Sequence, residues 1–106
     1  MWNTDKVQEE VRSEPVVLFA KGSKEQPMCG FSAKAMDILS RSGKPFKVIN
    51  IFDDANIRPA LVEFSQWPTT PQLFIAGELI GGSDIMEELF NSGELTKKLD
   101  QAFAAA

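Results

Sequence analysis

Val16-Val17-Leu18-Phe19-Ala20 is an unbroken apolar run that opens on two β-branched residues. A strand with one wet face alternates polar and apolar residues. This one does not, so it reads as a central strand covered on both faces. Everything else in the chain must supply those two covers. Ahead of it, Trp2, Val7 and Val11 mark a short amphipathic helix through Glu10, ended by Ser13 and Pro15. After it, the polar stretch Lys21 to Met28 reads as a loop. From Cys29, apolar residues at Phe31, Ala35, Ile38 and Leu39 recur at helical spacing until Gly43 and Pro45.

Phe46 to Phe52 reads as a second strand, and Asp53-Asp54-Ala55-Asn56 as a turn with Asn56 as N-cap of a helix over Ile57 to Phe64. Pro59 falls in the first turn of that helix, where its missing N–H costs little. Leu73 to Ala76 and Leu79-Ile80 form an antiparallel hairpin about a Gly77-Glu78 turn. Gly81-Gly82 ends it. Ser83 or Asp84 then caps another helix, Asp84 and Glu87 having capping-box spacing. Gly93 closes that helix, Glu94 to Phe103 forms a last one, and Ala104 to Ala106 read as a frayed tail. A strand–helix–strand unit crosses over right-handed, so its strands lie parallel. The added hairpin makes a four-stranded mixed sheet flanked by helices, the α/β plan of the thioredoxin-like fold.

A chain of 106 residues is expected to be one domain over its whole length. With 43% hydrophobic residues, including eight Phe, it can build a core without disulfide or metal staples. The formal net charge is -4 and the basic residues do not cluster, which argues against nucleic acid and anionic membranes as partners. No stretch approaches the roughly 18 apolar residues of a membrane span. Asp5, Glu9 and Glu10 leave the first dozen residues without the apolar core of a signal peptide. One cysteine fits a reducing compartment, and the cytoplasm is the expected location. A mature organellar protein reads the same way.

Cys29 is that only cysteine, and there is no histidine. An internal disulfide, a Cys–His nucleophile and a Cys/His zinc site are therefore excluded within one chain. Free cysteine is often a small buried hydrophobe. Placement between a strand end and a helix start points instead to chemistry, because free N–H groups of a first helical turn favour a thiolate. Lys21, directly after the first strand, is either a solvated lysine or a cation that lowers the thiol pKa or pairs with a ligand carboxylate. Gly30 leaves the sulfur approachable. Trp67 is core or pocket wall, Pro71 is a candidate cis proline that would turn the backbone of Thr70 outward, and Arg58 is surface charge or a carboxylate receptor. Gly82 allows close backbone approach. Ser83 and Asp84 form a turn plus N-cap, or offer N–H groups to a carboxylate and a carboxylate to an ammonium. Cations at one end and an anion-binding helix start with Asp84 at the other suit a small zwitterionic peptide. Glutathione has that charge arrangement and supplies a missing thiol.

Lys21-Gly22, Pro27-Met28-Cys29-Gly30-Phe31-Ser32, Ile57-Arg58, Trp67-Pro68-Thr69-Thr70-Pro71-Gln72-Leu73, Gly77-Glu78 and Gly81-Gly82-Ser83-Asp84 occur in that order. Together they resemble the monothiol glutaredoxin family of the Cys-Gly-Phe-Ser type, over about Val7 to Leu95. The resemblance implies glutathione binding and the carriage and transfer of [2Fe–2S] clusters. It implies that Lys21 and Arg58 hold the glycyl carboxylate, that Thr70 before Pro71 pairs with the cysteinyl backbone, and that Ser83 and Asp84 receive the γ-glutamyl end. Cys29 becomes the iron ligand, with Gly30 and Phe31 shaping its surroundings. BolA-like proteins and iron–sulfur acceptor proteins are the implied partners. Two departures stand out: Ser83 replaces a frequent cysteine, and Glu63 a frequent basic residue. A [2Fe–2S] centre with thiolate ligation needs four such ligands. Two chains and two glutathiones supply them, so the expected cluster form is a homodimer. The alternative is an oxidoreductase that reduces glutathione mixed disulfides with one cysteine.

Overall fold

A computed structural model describes residues 1–106. The apolar run becomes β1 (Val16–Ala20), buried at every position. It is an inner strand of a four-stranded sheet completed by β2 (Lys47–Asn50), β3 (Gln72–Ile75) and β4 (Glu78–Gly81), in the order β2-β1-β3-β4. β1 runs parallel to β2, with Val17 opposite Lys47 and Ala20 opposite Asn50, and antiparallel to β3. Five helices flank the sheet: α1 (Thr4–Ser13), α2 (Gly30–Ser42), α3 (Ile57–Ser65), α4 (Ser83–Ser92) and α5 (Glu94–Ala105). The architecture is the thioredoxin-like α/β fold.

Strand alternation sends successive β1 side chains to opposite covers. Val16 and Leu18 join Ala35, Leu39, Met86, Leu95 and Leu99 beneath α2, α4 and α5. Val17 and Phe19 join Val7, Val11, Ile57, Leu61 and Phe74 beneath α1 and α3. There the Phe19 ring meets Phe74 edge-on, with centroids 5.8 Å apart. Burying each such side chain contributes about 1.5–3 kcal/mol, so both covers are strongly held. Lys47 on β2 donates to Glu10 on α1 at 2.7 Å, tying the second cover to the edge strand.

Several boundaries differ from the sequence expectation. β2 ends at Asn50 rather than Phe52, because the Asn50 side-chain oxygen accepts from the Phe52 N–H at 2.9 Å and turns the chain. α1 is capped by Asn3, whose Oδ1 accepts from the Lys6 N–H, and continues beyond Glu10 to Ser13. Asn56 makes no side-chain cap; Asp54 closes the turn ahead of the helix, taking the Asn56 N–H at 2.8 Å. The hairpin turn is Ala76-Gly77, one residue earlier than expected. Ile75 pairs with Glu78, both turn residues have positive φ, and the Ala76 N–H donates to Pro15. The N-cap of α4 is Gly82 rather than Ser83 or Asp84, and no capping box forms. Asp84 and Glu87 instead both face Lys34 of α2, at 3.6 and 2.5 Å. α5 runs to Ala105, past the expected end at Phe103. No helix is long and apolar enough to cross a membrane.

Candidate functional site

The carboxyl end of β1 leads directly into the loop from Lys21 to Met28, which is a compact structure. The Met28 N–H donates to the Lys21 carbonyl at 2.9 Å, and Ser23 and Gln26 exchange main-chain bonds of 3.1 Å. Gly22 has φ +97°, and a Cβ there would lie 2.6 Å from the Met28 nitrogen, so only glycine fits. Two side chains bolt the loop to the sheet and to α2. The buried Ser32 hydroxyl accepts from the Lys21 N–H at 3.0 Å, and Asn50 Oδ1 accepts from the Gly22 N–H at 3.0 Å. Sequence reasoning assigned neither residue a role. Asparagine at the end of a strand is the signal that was available for Asn50, since its side chain readily captures nearby backbone donors.

The loop delivers Cys29 to the N-cap position of α2, half-buried and free, with no side-chain capping bond. Its thiol is held below the ordinary cysteine range. The Ser32 N–H at the start of α2 contributes most. Partial burial opposes it, while the Phe31 N–H and the positive charge of Lys21 add to it. The sulfur therefore carries more thiolate near neutrality than an ordinary cysteine. Phe31 beside it is 60% exposed and Met28 64%. A Cβ on Gly30 would meet nothing within 4 Å, so nothing inside the chain requires glycine there.

The opposite wall is the segment between α3 and β3. Gln66 ends α3 in a left-handed conformation, and Trp67 to Pro71 follow, with the Thr70–Pro71 bond cis. Arg58 on α3 donates through Nη2 to the Pro68 carbonyl at 3.2 Å, which leaves other guanidinium donors for a ligand. Gln72, wholly buried, donates from Nε2 to the carbonyls of Trp67 and Thr69. Trp67 is a pocket wall. Trp67 Nε1 and Thr70 Oγ1 are both buried without a hydrogen-bond partner.

The third wall is the start of α4. Gly81 sits at φ +141°, where a Cβ would lie 2.7 Å from Ile85 Cδ1; this glycine, more than Gly82, is what the turn demands. Gly82 is extended and caps α4 without a side-chain bond. The first N–H groups of a helix lack intrahelical acceptors, so those of Ser83 and Asp84 are available. The Ser83 side chain is buried, and Asp84 is 88% exposed.

These walls enclose a cleft of about 440 Å³. Lys21, Cys29 and Phe31 come from the β1–α2 side; Arg58, Trp67, Thr70 and Pro71 from the α3–β3 side; Gly82, Ser83 and Asp84 from α4. Of the residues singled out from sequence, only Gly30 does not line it. Thr69 and Ile85 do, and were not anticipated. Chemically, the cleft offers a sulfur of lowered pKa, a cationic side at Lys21 and Arg58, and a helix start bearing a carboxylate. That arrangement suits an extended ligand with separated charges.

The glutaredoxin family pattern matches residues 16–80. The chain is 52% identical over 97 residues to a probable monothiol glutaredoxin 2 of Rickettsia felis, covering 92% of this chain and 93% of that one. Its fold is similar to the solution structure of reduced poplar apo GrxS14, with a TM-score of 0.82 and 43% identity over 94% of this chain and 92% of that one. It is also similar to a buckwheat glutaredoxin–glutathione complex, with a TM-score of 0.84 and 28% identity over 95% and 90% of the two chains. With one cysteine set in Cys29-Gly30-Phe31-Ser32, the chain belongs to the monothiol glutaredoxin family.

Proposed function

We propose that this protein binds glutathione in the cleft and carries a [2Fe–2S] cluster shared between two subunits. The observation that carries the reading is a single free thiolate-prone sulfur at an uncapped helix start, inside a cleft with cations on one side and a carboxylate on the other. Lys21 and Arg58 hold the glycyl carboxylate, the backbone of Thr70 pairs with the cysteinyl unit, and the Ser83 and Asp84 N–H groups with the Asp84 carboxylate take the γ-glutamyl zwitterion. The unpartnered Trp67 Nε1 and Thr70 Oγ1 fit a polar ligand. The related buckwheat protein, in complex with glutathione, supports the choice of ligand.

The cluster is cargo. One chain has one cysteine and no histidine, so four thiolate ligands require two chains and two glutathiones. Exposed Met28 and Phe31 leave the sulfur's surroundings accessible to a second subunit. Exchangeable glutathione ligands make the assembly suited to transfer, to iron–sulfur acceptors or to a BolA-like partner that brings a histidine. A second reading draws on the lowered Cys29 pKa. Its thiolate attacks the glutathionyl sulfur of a protein mixed disulfide and releases the protein thiolate. A glutathione thiolate then attacks the glutathionyl sulfur on Cys29, freeing Cys29 and forming glutathione disulfide.

Anaerobic reconstitution with iron, sulfide and excess glutathione, read by native mass spectrometry, tests the cluster reading. The expected species is a dimer with two iron, two sulfide and two glutathiones, absent in Cys29→Ser. Stoichiometric cluster in Cys29→Ser overturns it. A glutathione-bound monomer without iron, under conditions that load a known cluster carrier, shifts the function to thiol exchange.

A further inference from the structure

Gln72 opens β3 with its side chain fully buried. Both donors of its carboxamide nitrogen go to main-chain carbonyls, 2.8 Å to Trp67 and 3.0 Å to Thr69. Its carbonyl oxygen has no partner. A buried, unpaired acceptor costs stability, so packing alone favours an apolar side chain here. What the carboxamide supplies is placement. The Pro68 carbonyl between its two acceptors is taken by Arg58 at 3.2 Å. Three successive carbonyls, of Trp67, Pro68 and Thr69, are thus each held by a side chain. The next residue, Thr70, has neither its main-chain N–H nor its C=O engaged by the protein, and it lines the cleft.

We propose that Gln72 is the positioning residue of the cleft: its buried carboxamide fixes the Trp67 to Thr69 carbonyls so that the Thr70 main chain stays presented to an extended peptide ligand. The identity of that ligand rests on the glutathione reading above; the ordering of the segment is a property of the ligand-free chain. Gln72 does not touch the ligand. It acts through the backbone of its neighbours, as a clamp formed before binding that spares the ligand the cost of ordering the segment.

The test compares wild type with Gln72→Met, of similar length but without donors, and Gln72→Asn, which keeps the amide but is too short to span both carbonyls. Backbone order parameters are measured by 15N relaxation without ligand, and glutathione affinity by calorimetry. Both variants are expected to lower the order parameters of the Thr69 and Thr70 amides from about 0.85 to below about 0.6 with β1 and α2 unchanged, and to bind glutathione about tenfold more weakly, the size expected for two lost hydrogen bonds. Wild-type order parameters at these amides, or a loss of order throughout the chain in step with a lowered Tm, overturns the clamp. So does unaltered affinity in both variants when wild type binds. If wild type itself does not bind glutathione, the ligand assignment fails, while a selective loss of order at Thr69 and Thr70 in the variants still supports the clamp.

Discussion

Two helix starts face each other across the cleft, and they are built in opposite ways. At α2 the N-cap residue is Cys29, and the approach to it is bolted by side chains: Ser32 holds the Lys21 N–H and Asn50 holds the Gly22 N–H. At α4 the N-cap is Gly82, with no side-chain cap, and the exposed Asp84 of its first turn shares Lys34 of α2 with Glu87. The first start is a fixed mount for one reactive atom. The second is an open set of backbone donors that any carboxylate of the right length can occupy. Precision is concentrated around the sulfur, and tolerance at the helix start proposed to take a ligand's charged end.

This contrast breaks most readily at Gly22. Gly22→Ala places a methyl against the Met28 backbone at a φ that L-residues avoid, so it is expected to cost about 2 kcal/mol or more. Thermal unfolding should show a Tm lower by roughly 10 °C for a domain of this size. An unchanged Tm would mean that the loop re-forms without its present geometry.

A middle-sized effect is expected at the other start. Asp84→Ala removes an exposed carboxylate whose ion pair contributes little to the fold. Tm should hold within about 1 °C while glutathione affinity falls about threefold to tenfold, as for loss of one charge-assisted contact. Equal affinity with intact fold would take Asp84 out of the ligand's reach.

The smallest expected effect sharpens the account of Cys29. Because its folded pKa is lowered, the alkylation rate with iodoacetamide should reach half-maximum below the ordinary cysteine value of about 8.5. Between the folded and unfolded pKa the unfolded chain binds more protons, so stability rises with pH there. This increment is present above the unfolded pKa and lost as pH falls through the folded one. An alkylation midpoint at or above that of a free cysteine peptide would remove the Ser32 amide and Lys21 as effective influences.

Element order and the lining of the cleft were legible because they follow from local rules. A continuous apolar run makes a two-sided strand, and a lone cysteine between strand and helix lands at the sheet's carboxyl edge. Some boundary differences came from side chains that capture backbone donors across a turn. Asn50 ended β2 two residues early and Asp54 closed the turn ahead of α3, while the main-chain carbonyl of Pro15 helped place the Ala76-Gly77 turn. Asp84 and Glu87 have capping-box spacing, yet Lys34 on another helix attracts both. Spacing along one helix contains no information about a cation arriving from α2.

By itself the sequence determined the strand–helix–strand–helix–hairpin–helix plan, the exclusion of any internal disulfide or Cys/His metal site, and the residues that would gather at one edge of the sheet. Only the tertiary structure decided which residues hold that gathering in place. Ser32 and Asn50 act on backbone groups brought to them by the packing of β1, β2 and α2, from 11 and 28 residues away, while Gln72 is buried where it can reach back five and three residues into the turn before β3. A polar side chain announces its chemistry in the sequence; which orphaned donor or carbonyl it must satisfy is set by what burial brings within about 3 Å of it.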